Sequence, residues 1–117
     1  MGKMSREKGK RGERWLANYL KERGYDARRT AQFCGRTGDA ADVVGLRGIH
    51  IEAKWQEKVQ IRLWYEQAVR DSEGKEDIPI VVHKVSRQIP LVTMSLDDFM
   101  KLYEKGYGDG KGEPDAE

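Results

Sequence analysis

Apolar positions along the 117-residue chain change period several times, and each change marks a predicted element. Residues 1–4 read as a loose start. Ser5 is a candidate helix cap without a capping box, because Lys8 stands where a Glu would close it. Trp15, Leu16, Tyr19 and Leu20 recur at helical spacing, and Gly24 follows Lys21 and Arg23 as a stop. Gly9 and Gly12 weaken the first turns, so the secure part of this helix is 11–23. Residues 25–31 read as a strand with a basic face, and 32–41 as a Gly-rich loop. Two short runs rich in β-branched residues, 42–46 and 49–55, form a hairpin around Arg47 and Gly48. Ile61, Trp64, Tyr65, Ala68 and Val69 then give an amphipathic helix of about 60–73. After a turn at 74–77, the nearly unbroken apolar run 80–85 predicts a central strand, and 91–94 a second one. Ser95, with Asp98 three residues on, caps a last helix whose apolar face is Leu96, Phe99, Met100 and Tyr103. The predicted order is α-β-β-β-α-β-β-α, an α/β fold with a central mixed β-sheet flanked by helices.

Composition turns to Gly, Asp, Glu and Pro from Gly106 onward. The expectation is one domain over 1–105 and a disordered tail over 106–117. Charged residues make up 36% of the chain, yet its net charge is only +2. The balance is uneven: residues 1–36 carry +7, and the remainder −5. A basic N-terminal third suits a polyanion such as nucleic acid, although a solvated helix face would look the same. The lone Cys34 leaves no internal disulfide, and no apolar run nears the roughly 20 residues a membrane helix needs. A cytoplasmic protein with no membrane association is expected.

Within strand 49–55, alternation sets Ile49, Ile51, Ala53 and Trp55 on one face and His50, Glu52 and Lys54 on the other. A Glu and a Lys two residues apart project side by side, but so short a pattern more often marks a solvated face. Asp42 changes the picture. If Leu46, Arg47 and Gly48 form a three-residue loop with Gly48 left-handed, Asp42 lies opposite Glu52. A two-residue loop would put them on opposite faces. Gly48 favours the first register. Two carboxylates that close need a cation between them, and oxygen ligands suit Mg²⁺ or Mn²⁺. Glu13 shares a helical stripe with Leu16, Ala17 and Leu20 and so points inward, where a salt bridge to an arginine and a metal role are equally good accounts. Asp42 and Glu52, with the Ala53 carbonyl, would hold the metal. Lys54 would act on the attacking water or on the charge of a phosphate.

Glu13, then Ala41-Asp42-Val43-Val44, then Ile51-Glu52-Ala53-Lys54 resembles the PD-(D/E)XK nuclease signature. The likeness is to archaeal-type Holliday-junction resolvases and to small phage PD-(D/E)XK endonucleases. It extends to Lys8-Gly9-Lys10-Arg11-Gly12-Glu13-Arg14, which is similar to the family's Lys-Gly-x-x-x-Glu-Arg opening, and to Gln67 on the following helix. About residues 6–94 are covered. The resemblance implies a restriction-endonuclease-like core and a Mg-dependent endodeoxyribonuclease acting on branched or structured DNA, often as a homodimer. Glu13, Asp42, Glu52, Lys54 and Gln67 would form its site, with Glu13 added to the metal ligands. Two positions depart from the pattern. Ala41 replaces the proline, which is not a ligand, and the loop 33–38 lacks the resolvases' serine, which bears on junction specificity.

Lys8, Lys10, Arg11, Arg14, Arg28, Arg29 and Arg36 are the expected phosphate contacts. Two rival functions stand beside the resolvase-like reading: a nicking or end-processing nuclease, and a nucleic-acid-binding module without catalysis. His50 and His83 read as partly exposed strand histidines, too few with one cysteine for a Cys/His zinc site. Trp64 and Tyr65 lie on a helical apolar stripe and read as core or dimer contacts rather than base-stacking platforms.

Overall fold

The computed structural model describes residues 2–30 and 41–108, with side chains from Glu7 onward. Among the described residues, three helices and five strands follow the predicted order: α1 Gly2–Glu22, β1 Arg28–Arg29, β2 Val43–Val44, β3 Ile49–Trp55, α2 Ile61–Asp71, β4 Ile78–Lys84, β5 Leu91–Thr93 and α3 Leu96–Tyr107. The strands form one sheet in the order β1-β2-β3-β4-β5. β3 and β4 run parallel, and every other neighbouring pair is antiparallel. The sheet is therefore mixed, with α2 as the crossover that parallel strands require.

Helices cover both faces of the β3–β4 centre. Leu16, Ala17 and Leu20 of α1 pack on Val43, Ile51 and Ala53, with Ile80 and Val82 completing that layer. On the opposite face Trp64 and Ala68 of α2 pack on Val81. This double cover removes one reading of β3. Its polar face is not a solvated outer face, because α2 lies over it.

Several boundaries differ from the expectations, each for a local reason. α1 starts at Gly2 rather than about residue 11. Gly12 is no weak point in it, because a Cβ there would overlap the Trp55 ring, so the helix approaches β3 closely only with glycine. β1 is shorter than the predicted 25–31. Tyr25 N–H still closes the helix end on the Leu20 carbonyl at 3.1 Å, and Ala27 N–H turns back to Tyr25 at 3.0 Å. β2 ends early at Gly45, whose φ of +137° leaves the ladder against Ala27. β5 is an edge strand rather than a second central one, with Leu91 and Val92 exposed. Ser95 caps α3 as expected, its side chain accepting from Asp98 N–H at 3.0 Å. α3 runs to Tyr107, past the Gly106 at which the tail was expected to begin. No helix among the described residues is long and apolar enough to cross a membrane.

Candidate active site

The hairpin register decides whether an acidic pair exists. Val43 pairs with Ile51, so Asp42 falls opposite Glu52, as the three-residue loop predicts. Gly48 has φ +85°, the left-handed conformation that loop needs, and Ile49 N–H bonds the Leu46 carbonyl across it at 3.1 Å. Thr30 Oγ1 donates to the Ala41 carbonyl at 2.6 Å and ties the segment before Asp42 to the end of β1. Asp42 is buried, and its Oδ2 accepts the Ala53 N–H at 2.8 Å. One strand thus orients the carboxylate of the other.

A cleft of about 560 Å³ opens where β3 leaves the sheet, between the first half of α1 and α2. Glu13, Asp42, Ala53, Lys54 and Gln67 all line it. Lys54 Nζ donates to Gln67 Oε1 at 2.9 Å, so α2 holds the ammonium in place. Glu13 is paired with Arg29, whose Nε donates to Oε1 at 3.1 Å. The salt bridge read from the sequence is thus present, and Glu13 also faces the cleft. Burial raises the Glu13 pKa, the charge of Asp42 raises it further, and Arg29 and Lys54 act against both.

Glu52 lies beneath the cleft rather than in its wall. Only 1% of it is exposed, and its Oε2 stands 2.8 Å from His50 Nε2. Asp42 and Glu52 are therefore adjacent in the ladder, but only Asp42 lines the cleft, and their side chains have different partners. Burial above all, then Asp42 and Asp71, push the Glu52 carboxyl up to about 9, with Lys54 opposing.

The expectation that both histidines are partly exposed is corrected: His50 is 2% exposed and His83 is buried too. His83 lies beside the Trp64 ring, with its Nε2 2.8 Å from Thr93 Oγ1. Alternation had placed His50 on a face without showing that α2 covers it. Asp71 was missed. Its signal was available, since Trp64, Gln67, Ala68 and Asp71 form one stripe of α2 at i, i+3, i+4 and i+7, with two polar residues set into it.

Of the expected phosphate contacts, Lys10, Arg11, Arg14 and Arg28 are exposed. Arg29 is engaged with Glu13. Lys8 lines the cleft and pairs with Glu57 at its rim. That hydrogen bond, with those from Ser86, holds the Glu57 carboxyl down to about 2. Arg36 lies outside the described residues, as does Cys34.

Two carboxylates stand near Asp42: Glu13, which lines the cleft with it, and Glu52, opposite it in the ladder. Asp42 repels both other carboxylates. A small divalent cation fits this donor set and would relieve that repulsion.

A family model described as "Phage putative PDDEXK endonuclease" matches residues 4–109. Among solved structures, the chain is similar to Archaeoglobus fulgidus Hjc, a Holliday junction resolvase from an archaeal hyperthermophile. The two are 25% identical with a TM-score of 0.57, over 74% of this chain and 76% of that one. No curated protein matches.

Proposed function

Starting from a chain that belongs to the family of phage PD-(D/E)XK endonucleases, we propose a divalent-metal-dependent endodeoxyribonuclease that hydrolyses phosphodiester bonds in branched or structured DNA. One observation carries this reading: Asp42 and Glu13 share a cleft with Lys54, whose ammonium is fixed by Gln67. Similarity to a Holliday junction resolvase supports the choice of branched DNA over plain duplex.

Asp42, Glu52, Glu13 and the Ala53 carbonyl would hold Mg²⁺ or Mn²⁺. When bound, the metal supplies a polarised phosphoryl oxygen and a more acidic water. The chain's own groups do the rest. Asp42 is kept in position by the Ala53 N–H. Lys54 stands over the cleft as a fixed positive charge for the phosphate, or as a partner to the attacking water. Gln67 accepts from Lys54 and so limits where its ammonium points. Lys8, which lines the cleft, and Lys10, Arg11 and Arg14 of the same helix would track the phosphate backbone, and Arg28, Arg29 and Arg36 are proposed as further phosphate contacts.

The proposed unit is a homodimer in an intracellular setting. Helix α3 supports a second copy: it buries none of its residues in this chain, and Leu96 and Tyr107 are 74% and 68% exposed.

The test is cleavage of a labelled four-way junction beside flap, duplex and single-stranded controls, with Mg²⁺ or Mn²⁺. Cutting of the junction that is abolished by chelator and by Glu52→Ala and Lys54→Ala is the expected result. Equal cutting of linear duplex would replace the junction reading with a nicking or end-processing enzyme. Salt-sensitive binding without cutting under any metal would leave a binding module.

A further inference from the structure

Beneath the cleft, two elements bring together three donors for a cation, of which the hydrolytic reading uses only Glu52. His50 and Glu52 are two residues apart on β3 and so project from one face. Asp71 comes from the last turn of α2, packed over that face. One ligand atom from each of the three lies within 4.8 Å of the others. His50 Nε2 and Glu52 Oε2 are already 2.8 Å apart. Both residues are at least 98% buried, and Asp71 is half-buried at the edge, which leaves a way in. Lys54, next along the same face, is committed to Gln67. Three carboxylates, Asp71, Asp42 and Asp77, act on His50 against one lysine, Lys75.

We propose that His50, Glu52 and Asp71 form a second metal site, one that takes a borderline transition ion such as Zn²⁺ rather than Mg²⁺. One imidazole nitrogen and two carboxylate oxygens are three-ligand zinc chemistry with a fourth position left for water. Tetrahedral zinc with bonds near 2.1 Å sets its ligand atoms about 3.4 Å apart. To reach that spacing the His50–Glu52 pair at 2.8 Å must open slightly, and no ligand atom starts more than 4.8 Å from another. Mg²⁺ prefers an all-oxygen octahedron that keeps several waters, which a buried imidazole does not offer. The chain has too few Cys and His for a thiolate-imidazole centre, and the fold replaces the missing ligands with carboxylates. This site shares Glu52 with the nuclease reading and takes its other two ligands, His50 and Asp71, from outside the cleft lining; its test involves no cleavage.

The probe is Zn²⁺ alone, added to the full chain and followed by NMR of the histidine rings. The chain has only two histidines, so His83 is an internal control. At stoichiometric Zn²⁺ the His50 ring signals should move or broaden while those of His83 stay. Asp42→Asn should keep that response, because Asp42 belongs to the cleft. Asp71→Asn, at a half-buried position and with its folding checked by far-UV circular dichroism, should need at least tenfold more Zn²⁺ for it. An unmoved His50 ring in the unaltered chain at saturating Zn²⁺ overturns the proposal whatever the variants do. A response lost equally in Asp42→Asn also overturns it, since the ion would then sit in the cleft. An unchanged affinity in Asp71→Asn does so as well, leaving a shared proton as what joins Glu52 to Asp71.

Discussion

Glu52 is the residue whose environment says most about the molecule. Burial above all pushes its carboxyl up to about 9, from 4.5 for the free group. A folded pKa raised this far means that the native chain binds the proton more tightly than the unfolded one. Stability should therefore be fully present below about pH 4.5 and decline as pH rises toward 9. In chelator, the melting temperature of the unaltered chain is expected to fall between pH 5 and 9. Glu52→Gln, which carries no titrating proton, should show a flatter profile, and Mn²⁺ should flatten that of the unaltered chain. A profile that rises over that range would contradict this placement of Glu52. Lys54 is held at its tip by Gln67 rather than by an acid. On the proposed mechanism, Lys54→Ala lowers the cleavage rate about 10²- to 10³-fold, the usual cost of removing a charge-stabilising donor, with little change in stability. Single-turnover cleavage beside urea unfolding separates the two effects. That Glu52 and Lys54 share a face was legible from their spacing, and that Asp42 lies opposite Glu52 from the glycine that sets the register. His50 and Asp71 were not. Period-two alternation says which side chains share a face, and only packing says what lies over it.

At the scale of elements, close approach matters more than propensity. Gly12 costs α1 intrinsic helicity, yet it lets the helix lie against Trp55, which in turn packs on Trp15. Gly12→Ala should gain helix propensity and still lose about 1–3 kcal/mol overall by overpacking. It should also weaken cleavage, because α1 carries Glu13 into the cleft one residue further on. A more stable variant on urea unfolding would refute the close-packing account. Ser95 tests the opposite case. Its cap on Asp98 N–H is worth about 1 kcal/mol locally. α3 buries nothing in this chain, so Ser95→Ala should speed hydrogen exchange within α3 and leave the sheet amides unchanged. The helices and the β3–β4 core were readable because each is a sustained periodic run. β1 and β2 were overestimated because short strands end where neighbours withdraw their ladder partners. β5 looked central because an apolar run has the same letters whether it is covered or left at an edge.

For the whole molecule, two surfaces carry predictions. One is the unburied apolar face of α3, where Phe99, Tyr103 and Tyr107 follow one another in tilted ring contacts. If a second copy covers it, Phe99→Glu with Tyr103→Glu should turn a dimer into a monomer in sedimentation velocity. A chain already monomeric at tens of micromolar would remove the dimer. The other is the basic run along α1. Replacing Lys10, Arg11 and Arg14 by alanine should weaken DNA binding across all sequences and make the salt dependence shallower, by about 0.9 in log–log slope for each phosphate that is no longer neutralised.

Read alone, the sequence determined the order of elements, the face shared by Glu52 and Lys54, the register that sets Asp42 opposite Glu52, and the concentration of positive charge near the N-terminus. These are local properties, since periodicity, turn glycines and side-chain charge act within a few residues. Tertiary structure decided that α2 buries the polar face of β3, that Asp71 meets His50 and Glu52, that Arg29 reaches Glu13, and that α3 stands uncovered. Each of these depends on the distance between elements far apart in the chain, and packing sets that distance.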